Sequence, residues 1–236
     1  MTDKKKTHVI ILARGGSKGI PKKNIIDFCG KPLVAWSIIQ AKKIKEISKV
    51  WVSSDNNDIL KVARKYGAET IKRPKYLATS KTKPIFAWLH AIEKIKKMGN
   101  TIDVIIALQS TSPVRESKDI KNGIRKFLKN NYDSLFSASY IGDFYIWRKK
   151  GNSYSSINYD YKNRPRRQDF EKQYVENGSF YIFKPTTLKK YQNHLGGRIG
   201  TSLMEFWKSF EIDERDDVKF LEIIMKNYLL KDTKRR

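Results

Sequence analysis

An uninterrupted apolar run, Val9-Ile-Ile-Leu-Ala13, passes straight into a glycine-rich basic loop, Arg14-Gly-Gly-Ser-Lys-Gly-Ile-Pro-Lys-Lys-Asn24. An apolar run of this length fits a strand covered on both faces, and such strands belong to parallel sheets flanked by helices. The loop then leaves from the carboxyl edge of the sheet, where open α/β folds bind ligands. Gly15, Gly16 and Gly19 let the backbone approach a ligand and turn several N–H groups towards it. Arg14, Lys18, Lys22 and Lys23 add full positive charges, while Ser17 and Asn24 add neutral donors. That combination suits a triphosphate.

The rest of the chain repeats the alternation of strand, loop and helix. Strands are expected at His8–Ala13, Val50–Ser54, Asp103–Leu108, Ser134–Ala138 and Gly178–Phe183. Helices are expected at Pro32–Lys45, Asp55–Tyr66 (closed by Gly67), Pro84–Lys97, Ser117–Lys129 and Glu214–Leu230. The last carries Val218, Leu221, Ile224, Met225, Tyr228 and Leu229 on one face, a packing stripe. The expected fold is α/β: one domain over residues 1–236, with a mostly parallel sheet and helices on both faces. Residues 139–174 break the pattern. They are rich in aromatic, Asn, Ser and Arg residues, and should form an inserted arm, either a hairpin-like flap or a contact for a second subunit. The basic tail from Lys231 should fray.

Other phosphate and nucleophile templates fit the loop less well. It is neither Gly-x-x-x-x-Gly-Lys-Ser/Thr nor Gly-x-Gly-x-x-Gly. Gly15-Gly-Ser-Lys-Gly19 does match the nucleophile elbow of α/β-hydrolases, but an elbow needs a helix to begin right after the serine. Gly19 and Pro21 oppose that helix.

Composition leaves a binding protein as a rival to an enzyme. The 236 residues include 49 Lys+Arg against 24 Asp+Glu, a formal charge of +25 that draws polyanions. Many of the lysines fall on polar helix faces, and no helix-turn-helix, zinc-finger or single-strand-binding signature accompanies them, so only weak, sequence-blind nucleic-acid binding is expected. One cysteine, Cys29, precludes an internal disulfide, and His8, His90 and His194 are too scattered to form a metal cluster with it. Without a signal-peptide pattern or an apolar run of membrane-spanning length, a cytoplasmic protein with no membrane partner is expected.

Two further groups belong with the loop. Gln109-Ser-Thr-Ser112 follows the apolar strand ending at Leu108, which puts its polar side chains at the same edge. Glu211 and Asp213 are two residues apart, so on a strand they would share a face. Two hard oxygen ligands there suit a Mg²⁺ ion carried by a triphosphate, although an isolated acid pair is as often surface decoration.

The opening Val9–Asn24 segment with Gly30-Lys-Pro-Leu33 resembles that of the acylneuraminate cytidylyltransferases, a family of Rossmann-like nucleotidyltransferases. The likeness continues in order through Val52-Ser-Ser-Asp55, Lys65-Tyr-Gly-Ala68, Leu108-Gln-Ser-Thr-Ser-Pro-Val-Arg115, Arg166-Arg-Gln-Asp169, Glu176-Asn-Gly-Ser-Phe-Tyr181 and Phe210-Glu-Ile-Asp213. The resemblance implies transfer of CMP from CTP to an acidic nine-carbon sugar, with GTP as the alternative donor. It implies nucleotide binding by Arg14, Gly15, Gly16, Ser17, Lys18, Lys23 and Asn24, with Arg14, Lys23 and Asp213 catalytic. Sugar binding would fall to Gln109, Arg167 and Tyr181, and Mg²⁺ to Glu211 and Asp213. It also implies a homodimer whose arm reaches the neighbouring subunit. Glu211 stands where many members carry Asp, Ser110 where Pro is usual, and Ser80 where Asp is common.

Overall fold

The computed structural model describes residues 5–142 and 144–230; the tail from Lys231 lies outside the described residues. Seven strands form one sheet: β1 Thr7–Leu12, β2 Ile47–Ser54, β3 Glu69–Lys72, β4 Val104–Leu108, β5 Ser134–Tyr140, β6 Tyr174–Phe183 and β7 Ile199–Met204. Their spatial order is β7-β5-β6-β4-β1-β2-β3. All neighbours are parallel except β6, which runs antiparallel to both β4 and β5. The sheet is thus mostly parallel, as the sequence implies.

Alternate residues of the central strands feed two cores. Val9 and Ile11 of β1, with Val50 and Val52 of β2, pack under α1 (Leu33–Lys42), α2 (Asn57–Lys65) and α4 (Ser117–Lys129). Ile10 and Trp51 face the other way, against α3 (Pro84–Lys97) and α5 (Pro185–Tyr191). Helix α1 is apolar on nearly every side, which matches its burial between the sheet and other elements. Asn56 caps α2 by accepting from the backbone N–H groups of Asp58 and Ile59.

A third core lies beneath the basic loop. Ile20, Phe28, Leu33 and Trp36 meet Val114, Ile212, Leu221, Ile224 and Met225 there. The C-terminal helix α6 (Arg215–Ile224) therefore packs at the site's edge. It is shorter than the expected 214–230 helix, because Met225–Leu229 continue as a wider π-type turn. That turn leaves Tyr228 63% exposed, resting on Trp207 rather than facing inward.

The β5–β6 ladder breaks between Glu176 and Tyr181. Gly178 takes φ +65°, which favours glycine. Buried Asn177 holds the break together: its Oδ1 accepts from Ser137 Oγ at 2.6 Å and from the Ser179 N–H at 3.2 Å. Within 139–174, Trp147–Lys150 and Ser153–Ser156 form an antiparallel hairpin, and the rings of Tyr145, Tyr159 and Phe170 cluster at its base.

Candidate active site

A cavity of about 770 Å³ opens at the carboxyl edge of β1 and β4. Arg14, Ser17, Lys18, Gly19, Lys23 and Asn24 line it from the loop. Gln109, Ser110 and Thr111 line it from the end of β4, Tyr181 from β6, and Glu211, Asp213 and Glu214 from the C-terminal segment. The structure thus gathers most of the expected site residues into one space.

Loop and acids are fastened directly to each other. Lys23 Nζ donates to Asp213 Oδ1 at 2.8 Å and to the Ile212 carbonyl at 2.9 Å. Gly19 passes so close that a Cβ there would lie 2.5 Å from the Asp213 carbonyl oxygen. Asp217 Oδ2 accepts from the backbone N–H groups of Asp213 and Glu214, which caps α6 and fixes the acid segment. The Ile212 side chain is fully buried between the two acids. Such burial is worth about 1.5–3 kcal/mol and holds the carboxylates outward. The segment is not a strand: its one ladder-like bond runs from the Ile212 N–H to the Thr111 carbonyl, and no sheet neighbour continues it. The alternation survives because Ile212 is anchored.

The Glu211 carboxyl is pushed above the usual range, first by burial and then by the negative charge of Asp213. Thr111 Oγ1 donates to it at 3.2 Å, an opposing but smaller effect. Two crowded carboxylates of this kind fit a hard divalent cation. Among the described residues no group of three or more His, Cys, Asp or Glu side chains is placed to hold a metal ion, so such an ion would rest largely on substrate oxygens.

Several expected residues serve the loop's shape. The Gly15 N–H donates to Asp55 Oδ1 at 2.9 Å. Asn24 is buried, donating to the Arg14 carbonyl at 2.9 Å and accepting from Ser110 Oγ at 2.6 Å. Gly15, Gly16 and Lys22 are not part of the cavity wall. Arg167 begins a short turn in the arm, exposed and away from its own chain's cavity.

The sequence reading missed other contributors. Arg73, one residue beyond β3, is 4% exposed and lines the cavity, and burial lowers its pKa. Its position at a strand's carboxyl end was a usable signal. Trp88 and His194 also line the cavity, the His194 ring 4.3 Å from that of Tyr181. His194 arrives on the loop after α5, which nothing in the local pattern announces. Arg115 is the largest omission in the scaffold. Fully buried, its Nη1 donates to the carbonyls of Gln109, Ser112 and Ser179, and its Nη2 to Ser37 Oγ. Burial pulls its pKa down to about 9, still a cation at neutral pH. This fork ties the end of β4 to the break in β6.

A sheet of this order, with a cationic glycine loop and an acid pair at its carboxyl edge, defines a nucleotidyltransferase fold. The fold matches CMP:2-keto-3-deoxy-manno-octonic acid synthetase complexed with CTP at a TM-score of 0.71, with 16% identity, over 95% of this chain and 100% of that one. A 4-diphosphocytidyl-2C-methyl-D-erythritol synthase from Anaerococcus prevotii matches at 0.67 with 13% identity, over 95% and 100%. The particular family follows from sequence: residues 8–234 match the cytidylyltransferase family model, and the chain belongs to that family. It is 38% identical to an N-acylneuraminate cytidylyltransferase of Oncorhynchus mykiss, over 80% of this chain and 43% of the relative. It is 32% identical to a CMP-N,N'-diacetyllegionaminic acid synthase of Campylobacter jejuni, over 94% and 97%. The chain spans less than half the length of the O. mykiss and Danio rerio relatives. No helix among the described residues is long and apolar enough to cross a membrane.

Proposed function

We propose that this chain transfers CMP from CTP to the anomeric hydroxyl of a nonulosonic acid and releases pyrophosphate. The observation that carries the reading is the convergence of the loop cations, the acid pair, Gln109 and Tyr181 on one cavity. The sugar hydroxyl oxygen forms the new bond to the α-phosphorus, the bond to the β-phosphate bridging oxygen breaks, and pyrophosphate leaves with its electron pair. Such transfers depend mainly on positioning and charge stabilisation. Arg14, Lys18 and Lys23 neutralise the triphosphate and the departing pyrophosphate. Lys23 does so with its ammonium already oriented by Asp213 and the Ile212 carbonyl. Gln109 and Tyr181 hold the sugar. Glu211 and Asp213 would hold Mg²⁺, which when bound neutralises charge at the α-phosphate and acidifies the attacking hydroxyl. Asp213, which lines the cavity, is the fallback base for the hydroxyl proton.

The exposed aromatic arm supports a homodimer in which Arg167 meets the acidic sugar in the neighbouring subunit. The triphosphate substrate supports a cytoplasmic reaction. Pyrophosphate release measured across CTP, GTP and a panel of neuraminate, legionaminate and pseudaminate substrates tests the assignment. CTP with at least one of these acids should turn over. Lys18→Ala should lose about 2–4 kcal/mol of transition-state stabilisation, roughly 30- to 900-fold, with the fold intact. Normal turnover by folded Lys18→Ala, or no turnover with any pair, refutes the reading.

A further inference from the structure

Tyr181 lines the cavity, yet its hydroxyl proton is already committed: it donates to Glu176 Oε1 at 2.6 Å. That is the length of a charge-assisted O–H···O⁻ bond. A phenol has one proton to give and two lone pairs to offer. With the proton turned to Glu176, the oxygen can present only lone pairs to the cavity, and no described residue donates to them. The His194 ring stands edge-on to Tyr181 at 4.3 Å and offers no hydrogen bond in exchange.

Glu176 lies five residues before Tyr181 on β6, too far to meet it on a regular strand. The break in the β5–β6 ladder brings the two together. Gly178 at its centre sits under Gln109, where a Cβ would lie 3.0 Å from Gln109 Nε2 and 4.0 Å from the Tyr181 hydroxyl. Asn177 and the Arg115 fork fix this geometry from behind. One irregularity therefore serves both sugar-facing side chains.

We infer that Glu176 is a positioning residue for the acceptor substrate: it locks Tyr181 as a hydrogen-bond acceptor, so the site selects sugar acids that present a hydroxyl or amide N–H donor at that point. The inference rests on the proposed function and adds the polarity of one subsite. Glu176 itself is not part of the cavity wall, so its effect must pass through the phenol. Burial and the Glu176 carboxylate both hold the phenol above its ordinary pKa, which keeps the proton in place for donation.

The test is a double-mutant cycle with Glu176→Gln, Tyr181→Phe and the pair, reading KM for the sugar acid and, separately, CTP binding. In Glu176→Gln the amide can donate back and turn the phenol round. Each single variant should raise the sugar KM about tenfold, with CTP affinity unchanged, and the pair should do no worse than Tyr181→Phe alone. Tenfold effects that multiply to about a hundredfold would show independent roles and overturn the inference, as would an unchanged sugar KM in Glu176→Gln. A readout independent of the sugar is the absorbance titration of Tyr181, taken as each Tyr181-containing protein minus its Tyr181→Phe counterpart. Its ionisation should move to lower pH in Glu176→Gln, because the bonded carboxylate opposing the phenolate is gone while burial and Glu211 still oppose it. No movement refutes the coupling itself. Absence of turnover by wild-type protein on every sugar acid refutes the functional assignment and the subsite with it, whereas a moved titration with an unchanged sugar KM refutes only the subsite.

Discussion

Lys208 has no exposed side-chain surface and bonds to three carboxylates: Glu116 and Glu205 at 2.8 Å and Asp119 at 2.9 Å. Replacing it with methionine keeps the stem and removes the charge. The three acids do not suffer equally. Glu205 is half exposed and can turn to water, and Glu116 keeps Lys118 at 2.8 Å. Asp119, 5% exposed, loses its bonded cation and keeps only the Glu116 backbone N–H and the unbonded charge of Arg115. Removing one partner from a buried ion pair costs about 3–5 kcal/mol, and a single stranded acid places the loss near 3. For a chain of this size that lowers Tm by about 6–12 °C. The pH dependence identifies the cause. Burial pushes Asp119 up despite Lys208, while the lysine hydrogen bonds outweigh burial and hold Glu116 and Glu205 down. Lys208 is raised because its three acids outweigh burial. The lowered acids lose their contribution as pH falls below about 4.5, and the raised lysine loses its own only above about 10.5. Denaturant unfolding of wild type and Lys208→Met at pH 7 and pH 4 should show a gap that narrows at pH 4, as the stranded Asp119 protonates. A gap below 1 kcal/mol at pH 7, or one of equal size at both pH values, would falsify the charge-compensation argument.

Gly19→Ala should lose about 1–3 kcal/mol and most activity, because the added carbon meets the Asp213 carbonyl rather than a movable side chain. Gly16→Ala, with nothing within 4 Å, should melt like wild type but bind CTP more weakly if the triphosphate closes on that backbone; melting curves and CTP titrations separate the two. Glu211→Gln should raise Tm at pH 7 while lowering turnover. A carboxyl whose folded pKa is raised weakens the fold as pH climbs from about 4.3 to its folded value, so the gain should vanish near pH 4. Asp213→Asn should cut turnover by orders of magnitude with little change in metal-free CTP affinity, as read by calorimetry.

The central strands and the loop were legible because their chemistry is local: apolar runs, then glycines and cations. β7 was not, because its inward positions are Gly200, Ser202 and Met204, while Ile199 and Leu203 face solvent. Gly200 is small because the Tyr132 ring occupies the space where a side chain would go. A strand whose inner face is glycine and serine gives no alternation of the expected sign. The reversal of β6 was equally hidden, since strand direction is set by the excursion between β5 and β6 and not by either strand's composition. In the site, the spacing of Glu211 and Asp213 was visible but did not by itself set them apart from surface acids, and the Asn177–Gly178 break, His194 and the Arg115 fork exist only through contacts between distant segments.

The bond between Lys23 and Asp213 joins residues 190 positions apart. On a ribosome moving at about 5–20 residues per second, the acid segment is made roughly 10–40 s after the loop it fastens. During that interval Gly19 has no Asp213 carbonyl beside it, and Ile20 and Phe28 lack the Ile212, Leu221 and Met225 side chains that later cover them. Until the 211–225 segment has been made, the nascent chain therefore carries an apolar floor and an untethered cationic loop, and the cavity is completed only when that segment docks.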